Sequence, residues 1–583
     1  MILQSLMTYY ESMAEKGMMS KFGWSKSGVS YAVNLSDAGE VREIYPLMQE
    51  IETKKGKKTA IPRDMEMPIG FSRAGIAPKA NFLCDNAKFI FGTDPAYFER
   101  SKKIHQDVLS GTDSVCAKAI LNFYDTFDPD NARMYPVLKE QPPEFWTNGN
   151  ITFMVNGVFA CEDASVRCAW EQYYQNLSDT KEPKENIKMR CLLTGELVEP
   201  MRIHSKIMGV PGAQTMGAAV VSFNARSFES YGRDEGQNLN APIGKYGAFA
   251  YTTALNTLIA DKKHNKLFGD TLLLYWADDA ETAYQDVFGA VFDPDSQTIS
   301  DGELNDLMGK IIRGQAVVWD QVPLNPSNHF NILGISPNAA RLSVRFFYAD
   351  SFGSMLLHIK EHYDRLTLVP DEHKLPQILP LWRLLNETVN PNAQDKSASP
   401  QLAGDMLRAI LTGQRYPATM YQQLQLRIRA DREINHVRAA VIKAYLLKNT
   451  DSENNKEVLT MELNEETTYQ PYVLGRLFAV LERIQERASG VTTIKDKYFT
   501  SAASTPAAVF PLIVDLAGKH LRKMDGGEKI YFDKLLQAML CQVTQSYPAH
   551  HTLTEQGIFQ LGYYHQKQKF FEKKTAAEAE NNQ

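Results

Sequence analysis

Residues 471–488 read PYVLGRLFAVLERIQERA, and this stretch decides the character of the second half of the chain. Leu474, Leu477, Phe478, Leu481, Ile484 and Ala488 recur at the spacing of an amphipathic helix. Arg483 and Arg487 follow Arg476 at seven and eleven residues, which 3.6 residues per turn gathers into one stripe opposite the apolar face. Glu482 and Glu486 flank the arginines, so the stripe reads either as a seat for a phosphate backbone or as a salt-bridged solvent face. Further helical segments are expected at 504–523, 528–545 and 553–572, and with 470–488 they predict a four-helix bundle.

Upstream, the polar run Asn449 to Lys456 separates this bundle from another helical region, Leu402 to Asn449. That region holds eight Lys and Arg (Arg408, Arg415, Arg427, Arg429, Arg432, Arg438, Lys443 and Lys448) against Asp405, Asp431 and Glu433. A local cationic excess in an acidic chain points to phosphate contact or to a paired structural network. Residues 366–404 are rich in proline and polar residues and mark the main boundary. Before them the pattern changes. Val29–Ser36, Thr271–Asp278 and Arg341–Asp350 read as strands, the last alternating Leu342, Val344 and Phe346 with Ser343 and Arg345. Trp146–Ala160 reads as a hairpin turning at Asn156-Gly157, the pair that supplies two positive-φ positions. A helix resumes near Ala248. The expected fold is an α+β N-terminal region followed by an all-α C-terminal region ending in a helical bundle. The expected domains are 1–370, 371–460 with the proline-rich linker and basic helices, and 461–583 with the bundle.

Bulk properties exclude several classes. The 583 residues carry a net charge of -6 and 44% hydrophobic residues, the composition of a soluble globular protein. No run is long and apolar enough to span a bilayer, and the start has neither a basic nor an apolar leader region, so a cytoplasmic location is expected. Six scattered cysteines (Cys84, Cys116, Cys161, Cys168, Cys191 and Cys541) fit a reducing compartment. No GxxxxGK[ST] phosphate loop, G-x-S-x-G elbow or H-E-x-x-H helix is present. Asp278-Asp279 and Asp293-Pro294-Asp295 are weak cation candidates and read first as solvated turns. Cys161, Cys168, Cys191 and His204 lack the paired spacing of a zinc site and read as structural residues. No catalytic residue, metal or cofactor is therefore expected.

Basic and glycine-rich stretches are more informative. Lys54, Lys55, Lys57 and Lys58 place four ammonium groups within five residues of an expected surface loop. Such a cluster gains counterion-release energy on a phosphate backbone, or remains a solvated face. Gly70 to Asn81 sets Ser72, Arg73, Lys79 and Asn81 among glycine and proline. Arginine pairs with guanine and asparagine with adenine, so this loop reads as a groove-approaching segment or an ordinary turn.

The segment Cys191 to Ile259 resembles the signature stretch of the type I-C CRISPR large-subunit family. The resemblance is carried by Cys191-x-x-Thr194-Gly195, His204, Gly209-x-x-Gly212-Ala213-Gln214, Val221-Ser222-Phe223-Asn224, Ser230-Tyr231-Gly232, Asn240-Ala241-Pro242 and Tyr251 to Asn256. It extends to Met1–Leu6, Asn81–Asn86, Arg427–Asp431, Leu474–Glu482 and Leu561–Gln566, nearly the whole chain. The resemblance implies a non-catalytic subunit of the ribonucleoprotein Cascade. Its partners would be CRISPR RNA, double-stranded target DNA, the Cascade backbone and RNA-processing subunits, a small subunit and a helicase–nuclease, with no membrane. Its role would be to read the protospacer-adjacent motif while guide pairing reads sequence. The residues expected to read the flank or wedge the duplex are Ser72, Arg73, Lys79, Asn81, Gly212, Gln214 and Asn224. Those expected on phosphates are Lys54, Lys55, Lys57, Lys58, Arg427, Arg429, Arg438, Lys443, Arg476, Arg483 and Arg487. The resemblance also implies that the bundle is made separately from an internal start, for which Met461 is placed. The competing readings are a metal-dependent nucleic-acid-processing enzyme and a scaffold that caps the RNA end without reading DNA.

Overall fold

The computed structural model describes residues 2–52, 58–71, 79–147, 149–177, 187–228, 230, 238–294, 300–315, 317–369, 378–394, 398–450, 456–491 and 493–571. The chain divides into two compact units. One comprises Leu6–Ser205 and Val221–Ala254; the other comprises Met1–Ser5, Lys206–Val220 and Leu255–Gln583.

The first unit is α+β. Its strands are β1 (Trp24–Val29), β2 (Tyr31–Leu35), β3 (Val41–Pro46), β4 (Met48–Glu52), β5 (Lys58–Pro68), β6 (Cys84–Asp85), β7 (Ile151–Val155), β8 (Val158–Phe159), β9 (Met189–Arg190) and β10 (Leu197–Val198). The main sheet runs β3-β2-β7-β6 with β8 beside β7, and only β2 and β7 are parallel within it. The expected hairpin is β7–β8. Asn156 (φ 49°) and Gly157 (φ 84°) take the two left-handed positions of the turn. Aromatic rings fill the core beneath the sheet. Phe82 stacks on Trp170 at 5.2 Å, and Trp170 Nε1 donates to the Gly23 carbonyl at 2.8 Å. Buried His105 accepts from Leu83 N through Nε2, and burial pushes its pKa down to about 4.

The long strand β5 serves two partners. Its second half pairs with β1, and its first half forms an antiparallel ribbon with β4. Met48–Glu50 and Ala60–Asp64 of that ribbon are exposed residue after residue, so it stands clear of the core.

The second unit opens on an antiparallel sheet, order β11-β12-β15-β16, from Asn265–Phe268, Thr271–Ala277, His329–Asn338 and Arg341–Ser351. The pair β13 (Val317–Trp319) and β14 (Val322–Leu324) lies outside it. Every residue of β12 is buried, as its apolar run predicts. The alternation expected along β16 is broken: Leu342 is buried but Val344 is 43% exposed. A bulge then separates Val344 from Phe346, so those two do not share a face. Gly334 pairs with Phe346 and Ile335 with Val344, which leaves Arg345 outside the ladder.

The helices Phe352–Leu366, Pro400–Leu411, Ala418–Asp431 and His436–Asn449 follow, and then the bundle. Its helices are Gln470–Ser489, Pro506–Leu521, Gly526–Gln542 and Leu553–Lys569, close to the expected segments. A further helix, Thr493–Ser504, stands where a connection was expected. Its sequence is polar and short, but Ile494, Phe499, Ala502 and Ala503 are buried, and Gln485 accepts from Ile494 N at 2.8 Å. Glycine sets the closest helix approach. A Cβ on Gly475 would lie 1.9 Å from the Phe559 carbonyl oxygen, and one on Gly562 would lie 2.3 Å from that of Tyr472. The Gln470 and Leu553 helices therefore touch backbone to backbone.

Candidate nucleic-acid interface

The loop that the sequence reading favours is closed by a side chain. Asn81 Oδ1 accepts from Phe71 N at 2.9 Å, and Asn81 N donates to Asp85 Oδ2 at 2.9 Å. Asp85 is buried and also accepts from Asn86 N at 2.7 Å. Gly70 lies so close that a Cβ there would sit 3.2 Å from the Asn81 amide. Exposed Lys79 places Nζ 5.3 Å from the centre of the Phe71 ring. Phe71, Lys79 and Asn81 thus clasp the two ends of the segment that carries Ser72 and Arg73, which themselves lie outside the described residues. The Asn81 carbonyl oxygen thus holds one end of the loop.

Lys54, Lys55 and Lys57 also lie outside the described residues. The register is still informative: Glu52 pairs with Lys58, so the lysine run connects the two strands of the exposed β4–β5 ribbon.

The remaining flank-reading candidates divide between the units. Asn224 is exposed and belongs with Lys79 and Asn81. Gly212 and Gln214 belong to the other unit, on a loop closed by the Ile207–Ala218 bridge. Asn256 holds the base of that loop, accepting from Met208 N at 2.8 Å and donating to the Lys206 carbonyl at 3.2 Å. Gly212 takes φ 79° with Pro337 against it, and Gln214 is exposed.

The C-terminal cations are mostly turned inward. Arg438 is buried and donates to Glu387 at 2.7 Å, to Asp431 at 2.7 Å and to the Glu433 carbonyl at 2.9 Å. Arg427 pairs with the same Asp431. Partial burial works to raise the Asp431 pKa, but hydrogen bonds from Arg438 and Arg427 hold it below the ordinary carboxylate value. Arg429 is exposed and donates to Gln556 at 2.9 Å. Lys443 is buried and donates to the Thr367 carbonyl, and burial pushes its pKa down to about 8.

The arginine stripe is corrected in the same way. Arg476 is 2% exposed and donates to Gln566, Gln542 and the carbonyls of Asn464 and Glu465 at 3.1–3.2 Å. Glu482, expected at a solvent face, is buried and accepts from the Tyr563 hydroxyl at 2.6 Å. The Gln470 helix is central, so its polar face meets other helices rather than water. Arg483 and Arg487, nearer its end, pair with Glu486 and Glu528 at 2.6 and 2.5 Å.

Sequence reading missed a set of cations in the first unit that are held over rings. Arg63 lies over Phe159, Lys88 and Arg100 over Tyr97, and Arg133 over Trp146. Separate elements bring each ring to its cation, so only the Arg100–Tyr97 spacing of three residues carried a sequence signal.

Among the described residues no three or more His, Cys, Asp or Glu side chains form a group that could hold a metal ion. His204 Nδ1 bonds the Tyr251 hydroxyl at 2.7 Å. Asp278 and Asp279 accept from Asn331 and Asn328 at 2.6 and 2.8 Å, and Asp293 pairs with Lys266 at 3.2 Å. Asp295 lies outside the described residues. No described helix is long and apolar enough to cross a membrane.

The family model described as CRISPR-associated protein (Cas_Csd1) matches residues 6–571. No curated protein matches the chain.

Proposed function

Because the chain belongs to the CRISPR-associated protein (Cas_Csd1) family, the large-subunit family of the type I-C Cascade complex, we propose that it reads the motif flanking the target on double-stranded DNA. In this reading it also promotes duplex opening and R-loop formation, helps hold the displaced strand and recruits the helicase–nuclease, without catalysing a step itself. Guide pairing then supplies sequence specificity.

The clasped loop supports the reading best. Asn81 and Lys79 hold Phe71, beside the segment that bears Ser72 and Arg73, and arginine is suited to a guanine edge in a groove. The Gly212–Gln214 loop and Asn224 are assigned to the same task. Lys54, Lys55, Lys57 and Lys58 supply phosphate contacts from the β4–β5 ribbon, a shape that a major groove admits. Arg429, Arg483 and Arg487 add such contacts from the helical region. Arg438, Lys443 and Arg476 hold the fold.

The reading is tested by reconstituting the RNA-loaded complex with and without this chain and measuring binding to duplexes with a randomised flank. Loss of both affinity and flank selection without the chain is expected. Selection that survives without it overturns the reading. We further propose that Met461 starts a separate bundle polypeptide; a C-terminal tag is then expected to reveal a short second band, and a single full-length band refutes it.

A further inference from the structure

The helices Pro95–Leu109 and Ala164–Asn176 of the first unit both end at one cleft of about 480 Å³, a place that the DNA-reading role leaves unused. Its walls carry Asp107, Ser110 and Thr112 from one side and Gln172, Tyr173 and Asn176 from the other. Buried Trp170 backs Tyr173, stacked on it at 5.9 Å. Burial, and then the Asp107 carboxylate, raise the Tyr173 pKa, so charge and ring share the cleft.

Three of the side-chain donors here are turned back onto their own helices. Gln172 Nε2 donates to Cys168 Sγ at 3.4 Å, Asn176 Nδ2 to the Gln172 carbonyl at 3.0 Å and Ser110 Oγ to the Gln106 carbonyl at 2.5 Å. The amide oxygens of Gln172 and Asn176 and the Asp107 carboxylate are left as acceptors with no partner among the described residues. Asp107 also lies in the last turn of its helix, the negative end of the dipole, where an acid is disfavoured. No basic residue shares that turn, and Lys103, one turn back, forms no ion pair with Asp107. The neighbouring helix end is served differently: Lys245 Nζ donates to the Tyr174 and Leu177 carbonyls at 2.6 and 3.4 Å. A cation from outside the chain would offset at Asp107 what Lys245 offsets beside it.

We propose that this cleft seats an arginine side chain of a neighbouring protein subunit. A guanidinium offers five N–H donors and no acceptor, forks onto a carboxylate and stacks on a ring. A lysine ammonium matches the charge but neither the fork nor the plane. A free small molecule fits less well, because such sites enclose most of their ligand among apolar walls, and this cleft is polar and open to solvent. A polypeptide brings the surface that closes it around the arginine. The inference rests on the chain's place in a multisubunit complex and is independent of flank reading.

The first test offers N-acetyl-arginine amide and N-acetyl-citrulline amide, similar in shape but without the charge, to the full chain and records ligand-observed saturation-transfer NMR. A signal from the arginine probe and a much weaker one from citrulline are expected. Asp107→Asn is expected to remove the arginine signal while the melting temperature holds or rises, since an acid leaves the negative end of a helix. Equal signals from the two probes, or an arginine signal that survives Asp107→Asn, overturn the inference. The second test measures binding of the chain to the remaining subunits assembled on guide RNA. Asp107→Arg, which repels an incoming guanidinium, is expected to weaken it by about tenfold or more, with flank selection intact at saturating chain. Arginine-probe binding with unchanged subunit affinity assigns the cleft to a free small cation and overturns the docking proposal. Flank selection lost in Asp107→Arg at saturation also overturns it, since the cleft would then serve DNA. Loss of flank selection in Asn81→Ala reports on the loop instead, so the two proposals fail separately.

Discussion

Arg133 and Arg438 carry the same guanidinium and meet opposite surroundings. In the first unit Arg133 is exposed over Trp146 with no carboxylate partner among the described residues. In the helical region Arg438 is buried against Glu387, Asp431 and the Glu433 carbonyl. Lys88 and Lys443 repeat the contrast: one lies exposed on Tyr97, the other is buried on the Thr367 carbonyl. A cation inside a helical assembly takes carboxylate or carbonyl partners because leaving it without any costs several kcal/mol. A cation held on a surface ring keeps its charge available. Counting Lys and Arg along the chain therefore overstates how much positive charge the helical region exposes.

The largest test of that contrast is Gly475→Ala. Its Cβ would meet a backbone carbonyl that can move only with the Leu553 helix, so a loss of at least about 3 kcal/mol is expected by urea unfolding. A loss below about 1 kcal/mol would show that the central helices are not locked together. Next is Arg438→Ala, which takes the arginine from Glu387 and leaves Asp431 to Arg427 alone. About 3 kcal/mol of stability is expected to go, with DNA affinity per folded molecule unchanged. A specific loss of affinity would return Arg438 to the interface.

Solution pH probes the same interior. His362 and His565 have pKa values pushed down to about 3 by burial, against an unfolded value near 6.5. Between those values the unfolded chain binds more protons, so stability is lost as pH falls below about 6.5. Lys443, pushed down to about 8, binds fewer protons when folded than when unfolded up to about 10.4, so stability rises with pH above about 8. Near pH 10 the buried tyrosines, whose pKa values are raised, oppose that rise. Denaturant midpoints taken across pH check both limbs, and Lys443→Met is expected to flatten the alkaline one.

Smaller effects belong to the surface. Asn81→Ala is expected to cost about 1 kcal/mol and to erase flank preference while the core stays folded. Arg487→Ala, which removes an exposed ion pair, is expected to change stability by less than about 0.5 kcal/mol.

Much of the fold was legible because local signals agree with it. The Asn156-Gly157 turn, the buried β12 run and the helix periods of 471–488 and 553–572 each follow from residue geometry within one element. The helix Thr493–Ser504 was missed because its few apolar residues are stabilised by the neighbours they reach. Phe346 was grouped with Leu342 and Val344 because a bulge opposite Gly334 cannot be read from one strand. For the candidate interface, glycine, proline and asparagine marked the Gly70–Asn81 loop, but its closure by Asn81 became visible only once Phe71 and Asp85 were placed.

The amino-acid sequence by itself determined the order of elements, the change from α+β to helix and the family, since all three reside in local periodicity and contiguous motifs. Tertiary structure alone decided which charges face water. Arg476 and Arg487 are eleven residues apart on one stripe of one helix, yet one is enclosed and the other exposed. Helical periodicity gives the direction of a side chain around its own axis. Whether solvent or another helix lies in that direction depends on how distant segments pack, and the free energy of burying a charge makes that difference decisive.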